Sequence, residues 1–497
     1  MKKAVVIGSG FAGISAASFL AKAGWKVVVI EKHNMPGGRA RRLSEEGFVF
    51  DMGPSWYWMP DVFEKYFSSF GKKVSDYYKL TRLSPSYRVY FEDGVMDVPA
   101  DFERLKQLFE SLEKGAGEKL DLFINEAEYK YNVGVQKLVY KPGRSLKEFV
   151  DIDLAKGVLK LDVFTSMKKH VSKYFKNAKL VKLMEFPVLF LGALPQKIPA
   201  LYSLMNYADI KLGTWYPEGG MYEVVNGMYN LAKELGVQFY FDCEATSVEI
   251  DNGTAKKVMV RWLNDTEHRG LDGFEGDVFV GAADYHFIEN NLLSENYRTY
   301  SEVYWNKRVM APSCLIYYVG IKKRLINILH HSLFFDVDFE AHGKEIYDVP
   351  AWPEDPLFYV SATSVTDNTT APENCENLFF LVPIAAGLKG DTEELREKYF
   401  EKIVERFENR TGEKIKDNII YKKSYSVTDF ENDYNAYKGN AYGLANTLMQ
   451  TAILKPSIKS KKVNNFFYAG QLTVPGPGVP PSLISGEVVA TEIVKEF

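Results

Sequence analysis

Residues 4 to 13 read Ala4-Val5-Val6-Ile7-Gly8-Ser9-Gly10-Phe11-Ala12-Gly13, an apolar run that breaks into three closely spaced glycines. Such a run is the pattern of a short strand buried on both faces. Ala12 to Ala23 is rich in small residues and predicts a helix, and Lys26 to Ile30 predicts a second strand. Strand, glycine turn, helix and strand make a βαβ unit whose first turn suits a dinucleotide. The glycines permit a tight bend, close backbone approach to a pyrophosphate, and close packing of helix on strand. Glu31 ends the second strand about 20 positions beyond the turn, where a carboxylate accepts hydrogen bonds from ribose hydroxyls and repels a 2′-phosphate. Phe11, Ala12 and Lys32 flank those contacts. By themselves these residues leave NAD and FAD both open.

Working outward, 497 residues with 46% hydrophobic content can bury two or three domains of about 150 residues each. The 61 basic and 65 acidic residues nearly cancel, so the charge balance points to no nucleic-acid partner. Cys243, Cys314 and Cys375 lie far apart and fit neither a disulfide framework nor a zinc site, which implies a reducing, cytoplasmic setting. Met1-Lys2-Lys3 before an apolar run imitates a signal peptide, but the glycines end the run and no cleavage pattern follows. No stretch reaches the roughly 20 apolar residues of a membrane span. Val188 to Leu194 is too short to cross but long enough to dip into one leaflet. The seven histidines show no metal-ligand spacing, so no metal site is expected, and His330-His331 reads as an exposed pair or a helix end.

Pro36-Gly37-Gly38-Arg39 follows the second strand, and Phe48-Val49-Phe50-Asp51-Met52-Gly53-Pro54-Ser55 comes soon after. Near the other end, Phe466-Phe467-Tyr468-Ala469-Gly470 reads as a buried strand, and Pro475-Gly476-Pro477-Gly478-Val479-Pro480 leads into an apolar helix from Ser482 to Val494. In these three motifs the sequence resembles the flavin-containing amine oxidase and carotenoid desaturase superfamily, and most closely bacterial phytoene desaturases. The resemblance implies FAD as cofactor. Gly37, Gly38 and Arg39 would lie along its pyrophosphate, as suits bare amides and an always-charged guanidinium. Arg41 and Arg42 read as a solvated basic turn. Gly53, Pro54 and Ser55, together with Gly470, Gly478, Val479 and Pro480, would approach the flavin. The amides opening the last helix near Pro481 to Ile484 would stabilise negative charge on it. A strand near Val248 would contact the adenine side.

Cofactor segments at both ends imply an α/β fold with a discontinuous Rossmann-like FAD-binding domain, of glutathione reductase or amine oxidase type, and an inserted α+β substrate-binding domain. The expected cofactor parts are residues 1–75, 211–285 and 426–497, and the expected substrate parts are 76–210 and 286–425. The inserted parts are crowded with apolar residues, such as Trp56-Tyr57-Trp58-Met59-Pro60, Phe186-Pro187-Val188-Leu189-Phe190-Leu191 and Leu201-Tyr202-Ser203-Leu204-Met205. Either an ordinary core or a long apolar tunnel has this composition. The resemblance runs along the whole chain, through Trp215 to Met221, Thr366-Asp367, Ala371-Pro372-Glu373 and Thr428-Asp429-Phe430, and it favours the tunnel.

The implied substrate is a lipophilic carotenoid. A C40 hydrocarbon binds by burial alone, at about 0.8 kcal/mol per CH₂ less the cost of leaving the membrane, so contact with the cytoplasmic membrane surface is expected. Ile152, Leu154, Val158, Leu159, Leu161, Val163, Phe164 and Met167, interleaved with Lys156, Lys160, Lys168 and Lys169, fit an interfacial helix. They fit an ordinary amphipathic helix equally well. The implied reaction is desaturation, with hydride passing to the flavin, a proton lost, and electrons going on to a quinone or oxygen. No catalytic residue is assigned. Some relatives carry an acid and an arginine where this chain has Asn125 and Glu128. Three readings remain: a phytoene-desaturase-like enzyme, a related flavoenzyme acting on a hydroxylated or partly desaturated carotenoid (or an isomerase or retinol saturase relative), and a prenyl-protein escort of the same fold. An intact Glu31, Gly37-Gly38-Arg39 and C-terminal glycine loop disfavour the escort.

Overall fold

The computed structural model describes residues 1–145, 148, 161–264 and 271–497. Strand β1 (Lys3–Ile7), helix α1 (Phe11–Lys22) and strand β2 (Lys26–Ile30) form the βαβ unit. β1 sits at the centre of a five-stranded parallel sheet in the order Phe466–Tyr468, Val278–Gly281, β1, β2, Gln238–Tyr240. Three remote stretches of sequence thus share one sheet. Each strand is short and apolar because helices or a further sheet cover both faces. A three-stranded antiparallel sheet, Cys243–Asp251, Thr254–Trp262 and Gly273–Glu275, packs beside it.

The second large layer is a seven-stranded sheet ordered Ile419–Tyr425, Ser313–Ile321, Glu376–Ile384, Phe358–Ser361, His331–Phe335, Tyr87–Phe91, Gly94–Val98. Its pairs are antiparallel except that of His331–Phe335 with Tyr87–Phe91. Ser313–Ile321 and His331–Phe335 are buried along their whole length. Helices Ala116–Val133 and Met167–Tyr174 pack against each other.

The two ends of the chain meet through helices. α1 lies against the C-terminal helix Val479–Glu496, and a Cβ on Gly486 would overlap the carbonyl oxygen of Ala12. Ser15 Oγ donates to Leu483 O at 2.7 Å across the same contact.

Several expectations change here. His330 and His331 are neither exposed nor at a helix end. His331 opens a central strand, both rings are buried, and His331 stacks on Trp56 at 4.1 Å. Their Nδ1 atoms bond Thr366 Oγ1 at 2.8 Å and Tyr359 Oη at 2.7 Å. Burial pushes the His330 pKa down to about 3 and that of His331 well below its usual value. Val188, Leu191, Ala193 and Leu194 are buried within the protein and do not form a leaflet-dipping surface. Residues 151–160 of the expected amphipathic helix lie outside the described residues. The described part is not one helix: turns run through Leu161 to Phe164, and Ser166 caps a new helix starting at Met167. Arg41 is no solvated turn residue, because it pairs with Asp433 at 2.6 Å and lies over Tyr434. Arg42 is half-exposed, 3.5 Å from Glu223.

Two outcomes are expected. Gly486→Ala forces the terminal helices apart and should cost about 1 to 3 kcal/mol, seen as a lower thermal unfolding midpoint. His330 stays neutral in the folded protein while the unfolded chain takes up a proton below about pH 6.5. Stability therefore falls as pH drops from about 6.5 toward 3, approaching 1.4 kcal/mol per pH unit for this ring. Denaturant titrations should show a shallower acid slope for His330→Asn.

Candidate functional site

The glycine turn is built by contacts that exclude side chains. Gly8 adopts φ +101°, and a Cβ on Gly13 would overlap Gly8 O. Around a Cβ placed on Gly10 there is open space, with no atom within 4 Å. The turn therefore presents bare backbone on one side and is tightly packed on the other. Phe11 and Ala12 begin α1 and are buried. Glu31 is buried and held in place: Oε2 accepts from Ser9 N at 2.9 Å and Ser9 Oγ at 2.8 Å, and Oε1 accepts from His33 N at 3.0 Å. Lys32 donates to Asn432 O at 2.8 Å, and burial lowers its pKa.

The Gly-Gly-Arg turn docks directly on this loop. Gly37 N donates to Ser9 O at 2.9 Å, and a Cβ on Gly38 would come within 3.4 Å of Gly10 Cα. Arg39 is partly buried. Its Nη2 donates to Asn440 O at 3.1 Å and its guanidinium lies 5.2 Å from the Tyr434 ring, while Nε has no hydrogen-bond partner among the described residues. Desolvation pulls its pKa down, opposed chiefly by the buried Asp284. Gly53 packs on the Arg39 backbone, where a Cβ would stand 2.6 Å from Arg39 O, and Pro54 and Ser55 follow, with Ser55 Oγ donating to Gly53 O at 3.3 Å.

From the other end of the chain, Gly470 (φ +119°) donates its amide to Ser485 Oγ at 2.9 Å and faces Ala12. Gly478 caps the C-terminal helix, with Val479 and Pro480 in its first turn. The expected row of free amides near Pro481 to Ile484 does not form. Pro480 and Pro481 have no N–H, and Ser482 N bonds Gly478 O at 3.0 Å. That leaves Val479 N–H as the opening amide free to donate. Val248 lies on strand Cys243–Asp251, buried and paired with Val258, whereas Cys243 N bonds Glu31 O at 2.9 Å. Val248 is five positions further along that strand, about 16 Å.

The residues present fit FAD. Open backbone at Gly10, an unpaired guanidinium nitrogen on Arg39 and an oriented Glu31 supply the polarity that a diphosphate flanked by ribose needs. Fold and site together define a flavin-dependent oxidoreductase. The chain belongs to the flavin containing amine oxidoreductase family, whose pattern matches residues 11–494. It is similar to carotenoid 3,4-desaturase of Haloarcula japonica, 41% identical over 99% of this chain and 98% of that protein. It is also similar to a zeta-carotene-forming phytoene desaturase of Myxococcus xanthus, 29% identical over 99% of this chain and 94% of that one. An oxidoreductase structure from Methanosarcina mazei shares the fold, with a TM-score of 0.62 at 16% identity over 98% of this chain and 100% of that one.

Other sequence landmarks turn out to join the layers. Asp51 accepts from Met221 N at 2.7 Å and Tyr222 N at 2.9 Å, capping helix Tyr222–Glu234, and burial raises its pKa to about 6. Asp367 accepts from Gly219 N at 2.7 Å and Tyr216 Oη at 3.0 Å. Asn125 and Glu128 are exposed on helix Ala116–Val133, and Glu128 accepts from Tyr207 Oη at 3.0 Å. Sequence reasoning missed a cluster next to them, in which Glu126, Asp162 and His170 converge with atoms within 4.8 Å of one another. Lys130 already serves as its cation, with Nζ 2.9 Å from Asp162 Oδ2.

Glu31→Ala removes the carboxylate that fixes Ser9 and His33 beside the glycine turn and should weaken FAD binding by about tenfold to a hundredfold, read by flavin fluorescence titration.

Proposed function

We propose that the protein is an FAD-dependent carotenoid desaturase that forms a C=C bond from a CH–CH unit of a long polyene precursor. The observation that carries this reading is the 41% identity to a carotenoid 3,4-desaturase along essentially both whole chains. Bound FAD supplies a hydride acceptor. Gly8, Gly10, Phe11, Ala12, Gly13, Glu31, Lys32, Gly38 and Arg39 hold its dinucleotide half, and Gly53, Pro54, Ser55, Gly470, Gly478, Val479 and Pro480 hold the half nearer the flavin; Val248 belongs to the strand on the adenine side. In this reading residues 1–75, 211–285 and 426–497 form the cofactor domain, and 76–210 and 286–425 form the substrate domain.

The substrate wall is a continuous aromatic layer. Trp56 lies 5.1 Å from Trp58, 5.4 Å from Tyr87, 5.5 Å from Tyr359 and 6.3 Å from Phe186. These rings bind a hydrocarbon by excluding water and hold the reacting bond in a dry site.

No described helix is long and apolar enough to cross a membrane. The protein meets the cytoplasmic membrane peripherally in this reading, and electrons leave to a quinone or oxygen. Support comes from exposed apolar side chains on linked loops: Phe164 is 83% and Met449 71% exposed. Thr165 O accepts from Ala200 N at 2.7 Å, and Tyr202, two residues on, bonds Thr451, so these loops adjoin.

Purified protein should be yellow with a flavin spectrum, and co-expression in a phytoene-producing host followed by pigment chromatography should give a more unsaturated carotenoid. A colourless protein that refuses added FAD, or an unchanged pigment profile with every acyclic carotenoid supplied, would overturn the reading.

A further inference from the structure

Forming a C=C bond from a CH–CH unit removes a hydride, for which bound FAD is the acceptor, and a proton, whose C–H electron pair becomes the π bond. A base that takes a proton from carbon needs a lone pair that no other donor occupies, and it must sit in the apolar wall that holds the substrate. His331 stacks on Trp56 at 4.1 Å, one residue beyond Ser55. Its Nδ1 lies 2.7 Å from Tyr359 Oη, while Nε2 is buried with no hydrogen-bond partner among the described residues. Alternation along the strands sets the face. Leu333, Phe335 and Tyr359 pack in one core cluster with Trp58 and Trp56, whereas Phe334, Phe358 and Val360 belong to a separate cluster behind the sheet. His331 shares the face of the first group.

Neighbouring groups fit the task less well. The His330 ring lies against Tyr216 at 4.6 Å, with Nδ1 on Thr366. Asp209, bonded to the aromatic layer through Tyr87, accepts from Tyr87 Oη at 2.7 Å and Thr214 Oγ1 at 3.1 Å, one donor to each oxygen. Behind Tyr359, in contrast, polar groups run on without a break. Its hydroxyl also reaches those of Ser55 and Ser361, and Ser361 pairs with His331 across the two strands. Ser55 and Ser361 line, with Asp51, a cavity of about 10 Å³, room for one water molecule. Burial raises the Asp51 pKa to about 6, so at neutral pH its carboxylate is mostly ionised and takes up a proton.

We propose that His331 accepts at Nε2 the proton lost from the substrate carbon, and that Tyr359 carries a proton on from Nδ1 through the two serines to Asp51. This role rests on the carotenoid desaturase reading and adds to it the group that takes the proton. The C–H pair stays behind as the π bond, the proton bonds Nε2, Nδ1 gives its own proton to the phenol oxygen as the phenol proton moves on, and Asp51 ends neutral. Burial holds the His331 pKa well below its usual value, so the imidazole waits unprotonated and does not retain the proton. A substrate that has lost hydride is an allylic cation, a far stronger acid than imidazolium, and a base this weak suffices.

The test uses FAD-loaded protein mixed without oxygen with lycopene in liposomes, or with phytoene where wild type converts that carotenoid instead. Single-turnover rates are compared for substrate carrying deuterium on one or the other carbon of the bond that is desaturated. In wild type the label on the carbon that loses hydride should slow the reaction more. His331→Asn keeps a donor toward Tyr359 and removes Nε2. It should lower the rate about a hundredfold or more and make the label on the other carbon the dominant one, while the affinities for FAD and carotenoid hold, read by flavin fluorescence and carotenoid absorbance. Tyr359→Phe should shift the dominant label in the same way with a smaller loss of rate. Circular dichroism selects whichever variant keeps its fold, and either decides. Independently of turnover, nitrogen NMR of histidine-labelled protein should show His331 with a protonated Nδ1 and a bare Nε2. A rate near that of wild type, a slowed variant in which the hydride label still dominates, or a protonated Nε2 would each overturn the role of His331 and leave the desaturase reading standing. Failure of wild type to desaturate either carotenoid would overturn both.

Discussion

The close approach of α1 to the C-terminal helix is the contact on which the rest of the site depends. A side chain at Gly486 would collide with the Ala12 backbone, so the two helices touch main chain to main chain. That contact, with Ser15 Oγ on Leu483 O and Gly470 facing Ala12, ties the C-terminal segment to the helix that the glycine turn opens. Stretches from opposite ends of the sequence are thereby fixed against one another, and the dipole of α1 favours negative charge at the glycine turn that opens it. The parallel sheet makes the arrangement obligatory. β1 is hydrogen-bonded to β2 on one side and Val278–Gly281 on the other, so no single stretch of chain completes the groove alone.

The parts of this site that were legible in the sequence are those whose function depends on local geometry. Gly8, Gly10 and Gly13 mark a turn because the turn itself forbids side chains, and Glu31 lies at a fixed distance because β2 has a fixed length. The histidines show the opposite case. Nothing near His330-His331 announces burial; it arises because Tyr87–Phe91 and Phe358–Ser361 close on both sides of the strand, from about 240 and 30 residues away. Arg41 was misread for the same reason, since its partner Asp433 is 392 positions distant. The last helix was placed correctly, but its free amides were not, because two prolines consume the positions where an N–H would point into the groove.

Charge explains why the groove is specific. Arg39 is partly buried, and Asp284 offsets part of its desolvation while Nε has no partner among the described residues. A guanidinium with an unpaired Nε keeps a donor that an anionic diphosphate can accept. Asp51 and Asp367 differ in kind. Their carboxylates are filled by backbone amides of the segment Gly219 to Tyr222, and they act as joints between the two sheets.

The same test separates the two buried lysines. Lys130 is 1% exposed, yet Asp162 Oδ2, Ser203 Oγ and Ala200 O lie within 3.4 Å of its Nζ. Every donor of that ammonium is used, so its role ends with the packing of helix Ala116–Val133. Lys455 is as deeply placed and has none of these partners among the described residues. A fully paired buried cation is structural, because removing it would strand its acceptors. An unpaired one leaves its desolvation uncompensated, and burial pulls its pKa down to about 7.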